Sequence, residues 1–287
     1  MIKEFAVEPA AIVSSYRDFS YILEKCGLPQ GRVIAQFPST WKRSVYEAAE
    51  AIHKGTVELA RISERLQRLP KDLLFSSGRN GGDPDRSWVE RVRVEHEQKR
   101  FDWIIATENP GVNEFASPKE LDDEHPALTQ NRQWLVTRTA EAIASACAFH
   151  WRSARHVKII DPYFDPKVGR FSRPFELLLE LPTRGALCID FYRSDKFEPD
   201  FAIQRFHGLA QKAAAKGYRV RLFLKPDKSM HNRYFLTDLG GITFLTGLDD
   251  SDFGTSTESD DVMLLERQMR DLHWNEYEDA VPLCEWK

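Results

Sequence analysis

Apolar positions in the first hundred residues recur mainly at helical spacing. Four of them follow one another at steps of four, three and four residues: Ile12, Tyr16, Phe19 and Leu23. Gly27 then follows at the place where a helix would end. The stretch 41–69 repeats the pattern, and Gly55 is predicted to divide it into two helices. A single short strand is predicted in this half, over residues 101–106.

The pattern changes in the second half to alternating strands and helices. After an alanine-rich helix over 134–151, strands are predicted at 157–160, 186–192 and 218–224, with helices between them at 175–181 and 199–216. Such alternation predicts an α/β sheet, because parallel strands need crossover helices. Two more strands, at 233–236 and 242–245, are joined by a turn at Leu239-Gly240-Gly241. A closing helix is predicted over 264–273.

The predicted fold is therefore an α/β domain preceded by a mainly helical region. We place the helical region at residues 1–125 and expect it to recognise a substrate or to dock a partner protein. The α/β domain occupies residues 126–287. Within it, residues 157–248 are predicted to form a mixed, mostly parallel sheet with flanking helices.

Composition narrows the class of protein without identifying it. Hydrophobic residues make up 42% of the 287 and charged residues 29%, which is typical of an ordered globular protein. No apolar run is long enough to span a membrane, and the first residues lack the apolar core of a signal peptide, so we expect a cytoplasmic protein. The four cysteines are far apart and indicate neither a zinc site nor a disulfide framework.

Charge is unevenly distributed along the chain. The net charge is -4, but residues 249–287 carry twelve acidic and three basic side chains, which leaves +5 for residues 1–248. Six acids follow the last predicted strand: Asp249, Asp250, Asp252, Glu258, Asp260 and Asp261. One interpretation is a solvated face; the other is a segment that covers a basic groove or meets a basic partner.

The segment that could carry chemistry is Met230 to Asp238. It contains His231, Arg233 two residues later, and Asp238 five residues beyond that. On a strand, residues i and i+2 share a face, so His231 and Arg233 are predicted to point together. An imidazole can attack phosphorus, a guanidinium can hold two phosphate oxygens, and a carboxylate can orient an imidazole. The structural alternative is a strand end, a surface ion pair and a turn.

These residues resemble the signature of the phospholipase D superfamily. The likeness rests on the strand 157–160 with Asp161-Pro162-Tyr163-Phe164 after it, on His231-x-Arg233-x4-Asp238, and on the downstream Thr246-Gly247-Leu248. The family pattern has Lys where this chain has Arg233, and Gly-Ser-x-Asn where it has Gly247-Leu248-Asp249. In both respects the chain is closer to the phospholipase D-like C-terminal domain of MIT-domain proteins, which is regarded as a binding module.

The resemblance implies roles for several residues. His231 would be the nucleophile, Arg233 the phosphate ligand and Asp238 the residue that orients or tunes an imidazole. We assign substrate binding to Arg193, which ends a strand, and to three residues in or near the motif: Lys225, Asn232 and Thr246. Asp161 ends the first strand, and a functional group and an ordinary Asp-Pro turn are equally consistent with it. No cofactor and no metal is expected.

Two functions follow as hypotheses. The first is a metal-independent phosphodiesterase that uses a phosphohistidine intermediate, specifically a nuclease of a bacterial defence or conflict system. Since the family cleaves with two histidines and this chain has one motif, the enzyme would be a homodimer. The second is a non-catalytic adaptor that binds a phosphorylated ligand, a lipid headgroup or a partner protein, with residues 1–125 docking to a larger complex.

Overall fold

The chain forms two compact units. A computed structural model describes residues 2–76, 78–79, 81–129, 132–251, 257–278 and 281–287. The units are Met1–Asn131 and Arg132–Lys287. The boundary predicted from the sequence, between residues 125 and 126, lies a short distance before this division.

The first unit is built on a parallel sheet. Its strands are β1 (Lys3–Val7), β2 (Arg32–Ala35), β3 (Leu74–Phe75), β4 (Trp103–Ile105) and β5 (Phe115–Ala116). They lie in the order β3-β2-β1-β4-β5, and every pair runs parallel. Its helices are α1 (Tyr16–Glu24), α2 (Trp41–His53), α3 (Val57–Gln67) and α4 (Trp88–Gln98), with a 3-10 turn at Leu28–Gln30.

Local signals fix several of these helices. Gly55 has a φ of +78°, which favours glycine, and it separates α2 from α3 as predicted. Thr56 then caps α3 by accepting the N–H of Leu59. Trp41, at the start of α2, is fully buried, and its Nε1 donates to the carbonyl of Val7 at 2.7 Å. This bond ties α2 to the carboxyl end of β1.

The prediction of a mainly helical N-terminal region is wrong. Five short parallel strands run through the described part of it, and the sequence pattern predicts only β4 among them. The strands β1 and β2 show why. Both lie inside the sheet between two neighbours, and all four residues of β2 are buried. A strand covered on both faces shows no alternation of apolar and polar positions, so period-two analysis cannot detect it. The strand predicted at 101–106 is confirmed as β4.

The second unit is built on an eight-stranded sheet. Its strands are β6 (Gln133–Thr137), β7 (His156–Ile160), β8 (Cys188–Ser194), β9 (Arg219–Lys225), β10 (Arg233–Thr237), β11 (Gly241–Phe244), β12 (Ser259–Leu264) and β13 (Cys284–Trp286). They lie in the order β13-β9-β8-β7-β10-β11-β12-β6. Its helices are α5 (Ala140–Ser153), α6 (Gly169–Leu179), α7 (Pro199–Ala214) and α8 (Arg267–Glu276), with a 3-10 turn at Asp227–Ser229.

The mixed sheet is confirmed, but it is not mostly parallel. Only β7, β8 and β9 run parallel to one another, and the remaining pairs are antiparallel. After β9 the chain returns through a 3-10 turn and a hairpin, and such short connections join only antiparallel strands. The helix predicted over 134–151 begins only at Ala140, because Gln133–Thr137 pairs with β12 as an edge strand.

The two faces of this sheet carry different side chains. The face covered by α5, α6 and α7 is aromatic: the ring of Phe191 lies 5.1 Å from Phe175 and 5.3 Å from Phe206. The opposite face, covered by α8, also buries charge. Lys158 there is 1% exposed and donates to the carbonyl of Trp274 at 3.0 Å. We call these the α7 face and the α8 face.

Within the described ranges, no helix is both long enough and apolar enough to span a bilayer.

Candidate functional site

Three charged residues form a row across the carboxyl edge of β7 and β8. Ile160 pairs with Tyr192 of β8 on one side and with Tyr234 of β10 on the other. One position further along, the same register aligns Arg193, Asp161 and Arg233, in that order across the sheet. Their side chains project to the α7 face, because neighbouring residues in a strand alternate between faces. We call these three residues the Arg-Asp-Arg row.

Arg193 is a buried cation without a hydrogen-bond acceptor. It is 0% exposed, and its Nε and both terminal nitrogens have no hydrogen-bond partner among the described residues. Its guanidinium lies 3.8 Å from the centre of the Phe197 ring. Burial lowers its pKa, which nearby Asp165 and Asp161 partly restore. Asp165 is already bound to Arg205 at 2.6 Å, so the charge of Arg193 is only partly compensated.

Arg233 also has an N–H group that makes no hydrogen bond within the described residues. One terminal nitrogen donates to the carbonyl of Leu245 at 3.3 Å, while its buried Nε has no hydrogen-bond partner in the described part of the chain. The guanidinium lies 5.4 Å from the centre of the Tyr163 ring. A buried donor without an acceptor costs free energy, and an anion that accepted from Arg193 and Arg233 would recover it.

Asp161 lies between the two arginines. Its carboxylate accepts the N–H of Tyr163 at 2.9 Å and that of Leu248 at 3.5 Å. Burial raises its pKa to about 6, and the two backbone hydrogen bonds and the charge of Arg233 oppose the rise. Nearby Gly247 has a φ of +153°, and a Cβ added there would lie 2.7 Å from an oxygen of Asp249, so this position favours glycine.

His231 lies two residues before Arg233 and outside the strand. It is exposed, it precedes β10, and it has no hydrogen-bond partner among the described residues. The prediction that His231 and Arg233 share a strand face is therefore wrong, since only Arg233 is in the strand. Pairing fails at this point because Asn232 would meet Pro162, which has no N–H to donate.

Asp238 lies at the opposite end of β10. Its Oδ1 accepts the N–H of Arg155 at 3.0 Å and that of His156 at 3.3 Å, where β7 begins. The five residues of β10, which span about 17 Å at the usual rise of ~3.4 Å per residue, lie between Asp238 and His231. Asp238 therefore anchors the start of β7 and does not orient His231 of the same chain.

The carboxylate near His231 is Asp227. The pKa of Asp227 is lowered mainly by its hydrogen bonds with Lys196 and Ser194. The charge of His231 adds a smaller effect in the same direction. Ser194 Oγ donates to Asp227 at 2.8 Å, and Lys196 pairs with it at 2.7 Å. The sequence shows Asp227 only as part of a polar loop, and no pattern distinguishes it.

The other predicted binding residues are divided between the faces. Asn232 donates to the hydroxyl of Tyr234 on the α8 face at 2.8 Å. Lys225 lies over the ring of Tyr277 on that face, with its Nζ 5.5 Å from the ring centre. Thr246 donates its N–H to Asp260 at 2.9 Å. Of the predicted ligands, Arg193 and Arg233 are therefore the pair that the fold brings together.

The described acids of the segment after the last predicted strand bind residues other than Arg233. Asp249 pairs with Arg138 at 2.7 Å, and Asp250 pairs with Arg173. Three further acids also have partners in the described residues: Asp260 accepts the N–H of Thr246, Asp261 accepts from Gln133, and Glu258 pairs with Arg138. Asp252 lies outside the described residues. These acids are mainly structural, and Asp249 and Asp250 are almost fully buried.

A second polar cluster lies at the amino edge of the same sheet. His156, Cys188 and Asp190 offer potential ligand atoms within 4.8 Å of one another. Arg221 already binds both oxygens of Asp190, at 2.7 and 2.6 Å, and His156 binds the carboxylate at 2.7 Å. A carboxylate satisfied by two cations fits an ion-pair network better than a metal site, and we derive no metal chemistry from it.

Comparisons with known proteins add little to this picture. No protein-family model matches the chain, and no curated protein matches it. Among solved structures, the chain is similar to TrmBL2, an archaeal chromatin protein whose structure shows a novel mode of DNA binding. The identity is 16%, the TM-score is 0.33, and the match covers 56% of this chain and 57% of that one. The chain thus spans little more than half of that protein, and this likeness carries no argument about fold or function.

Proposed function

We propose that the chain is a cytoplasmic phospholipase D-like phosphodiesterase that acts on nucleic acid. The observation that carries the proposal is the buried guanidinium of Arg193, which has no acceptor among the described residues and stands in one row with Arg233. Two guanidinium groups that flank a shared position suit the non-bridging oxygens of a phosphodiester. The exposed imidazole of His231, two residues before Arg233, would supply the nucleophile.

The proposed reaction has two steps. In the first, an imidazole nitrogen of His231 attacks phosphorus, the P–N bond forms, and the P–O bond to the leaving strand breaks. The leaving oxygen takes a proton from His231 of the partner subunit. In the second step, the imidazole of the partner's His231 removes a proton from a water molecule. The oxygen of that water attacks phosphorus, and the P–N bond breaks. Arg193 and Arg233 stabilise the charge on the phosphoryl oxygens in both steps.

The binding half of the proposal is tested with one matched set of variants. We expect Arg193→Gln or Arg233→Gln to weaken binding of a labelled oligonucleotide about tenfold or more, because hydrogen bonds to charged groups contribute ~1.5–3 kcal/mol. Arg152→Gln, at an exposed position on α5, is the control and should bind as the parent chain does. Fluorescence anisotropy measures the affinities, and equal affinities for all four proteins would contradict the site.

The catalytic half predicts a homodimer. Because one motif supplies one imidazole, cleavage in the presence of EDTA should be lost in His231→Ala, and specific activity should rise with protein concentration as subunits associate. Analytical ultracentrifugation on the same samples gives the oligomeric state. A strictly monomeric chain that cleaves a phosphodiester would contradict this assignment.

A non-catalytic adaptor is the second candidate function. The favouring observations are Arg233 where the family pattern has Lys, and Gly247-Leu248-Asp249 where that pattern has Gly-Ser-x-Asn. An adaptor would bind a phosphorylated ligand through Arg193 and Arg233 without cleaving it. Denaturation in alkaline detergent, in which the P–N bond of a phosphohistidine survives, separates the two with a 32P-labelled oligonucleotide: a covalent phosphohistidine supports the enzyme, and arginine-dependent binding without the adduct supports the adaptor.

A further inference from the structure

An exposed aromatic ring stands beside the Arg-Asp-Arg row. Tyr163 follows Asp161-Pro162 at the carboxyl end of β7, and its side chain is 56% exposed. Its backbone is held in place, since its N–H donates to Asp161 at 2.9 Å in an Asx turn. This bond holds the backbone of Tyr163 next to Asp161, and the ring remains accessible to solvent.

Two cations lie near this ring. The guanidinium of Arg233 lies 5.4 Å from the ring centre. Lys196, whose side chain is 64% exposed, is within electrostatic range of the Tyr163 hydroxyl and pairs with Asp227. Leu245, whose carbonyl accepts from Arg233, is 66% exposed and adds apolar surface close to Arg233.

We propose that Tyr163 is a base-stacking residue that makes the site specific for single-stranded nucleic acid. This inference rests on the function proposed above, with a phosphate held by Arg193 and Arg233. Any nucleobase has a π face that can stack on an exposed phenol, and nearby cations can bind the phosphates. Bases in a duplex stack on one another and pair, so they cannot reach a ring at a sheet edge. A lipid headgroup offers a phosphate but no π face.

The test uses the full chain and three variants at two positions. Affinities are measured by anisotropy for a labelled oligothymidylate, for the same strand with abasic positions, and for a duplex of the same length. We expect Tyr163→Ala to weaken single-strand binding about tenfold, with little change for the duplex, whereas Tyr163→Phe keeps the ring and binds as the parent chain does. Abasic positions should weaken binding by the parent chain and leave Tyr163→Ala unaffected. Arg233→Gln should weaken binding to every oligonucleotide.

Each result separates this inference from the function it rests on. If Arg233→Gln weakens binding but Tyr163→Ala affects single strand and duplex equally, the stacking role is wrong and the phosphate site stands. If Arg233→Gln changes nothing, the phosphate site is wrong. If Tyr163→Ala instead lowers binding to phosphatidylinositol-phosphate vesicles and leaves oligonucleotide binding unchanged, the ring belongs to a membrane-facing surface and the inference is overturned. Failure of the parent chain to bind any oligonucleotide also overturns it.

Discussion

Asp161→Asn is expected to stabilise the second unit at about pH 8 and to leave its stability nearly unchanged at about pH 3.5. The pKa of Asp161 is about 6 in the fold against 3.8 for an ordinary aspartate, because burial disfavours the carboxylate. A group whose pKa is raised on folding stabilises the fold below the unfolded value, and this contribution is lost as the pH rises through the folded value. The difference corresponds to about 3 kcal/mol above pH ~6.

The same substitution should also strengthen anion binding. At neutral pH the carboxylate of Asp161 lies between Arg193 and Arg233 and competes with any anion for their charge. We expect sulfate, which does not titrate in this range, to raise the unfolding temperature more in Asp161→Asn than in the parent chain. Near pH 4 the two proteins should respond alike, because Asp161 of the parent chain is then protonated and, like the asparagine of the variant, carries no charge.

Differential scanning calorimetry across this pH range measures both effects. Asp200→Asn, which changes an exposed carboxylate in the first turn of α7, is the control and should show neither effect. A lower unfolding temperature for Asp161→Asn at every pH would show that its hydrogen bonds to Tyr163 and Leu248 outweigh its desolvation, and would contradict the prediction.

Asp190→Asn is expected to destabilise the second unit by about 3 kcal/mol. Asp190 is 0% exposed and holds Arg221 and His156, so the neutral side chain leaves two cations without their counter-ion. We expect a loss of unfolding free energy at the lower end of the range for broken buried ion pairs, because the Arg221 side chain is 22% exposed. Urea unfolding gives the value. Glu285→Gln, which removes the acid of the exposed pair with Arg219, is the control and should change stability little.

This network also predicts a pH dependence. Burial opposes the charge on His156, but the bond and ion pair with Asp190 outweigh it and raise the pKa of His156 to about 9. The stabilisation is therefore complete below the ordinary value of 6.5 and is lost as the pH rises through about 9. The parent chain should lose stability over this interval, and Asp190→Asn should lose much less. Identical profiles would contradict the assignment.

Several elements could be predicted because their signals are local. Gly55 between two amphipathic stretches predicted the break between α2 and α3, and Pro199 at the first turn predicted the start of α7. The strands β7, β8 and β9 were recognised from short apolar runs between helices. In contrast, β1 and β2 have no alternating pattern, and β6 follows β12 rather than its own helical propensity.

For the candidate site, too, the sequence predicted some features and could not predict others. The sequence indicated His231 and Arg233 as a pair and placed Arg193 at the end of a strand. It could not show that Arg193 is buried without an acceptor, since burial depends on Phe197 and on helices packed against the sheet. Nor could it distinguish Asp161 from an ordinary turn residue, because the rise in its pKa comes from the surrounding protein.

The sequence by itself determined the alternation of strands and helices from residue 157 to 224, since that information lies in the hydrophobic period of each segment. Only the tertiary structure decided which charged residues meet. The antiparallel pairing of β10 with β7 brings Arg233 to Asp161 and carries Asp238 to the far end of the sheet. Strand direction and register are set by hydrogen bonds between segments distant in sequence, and spacing within one segment does not contain them.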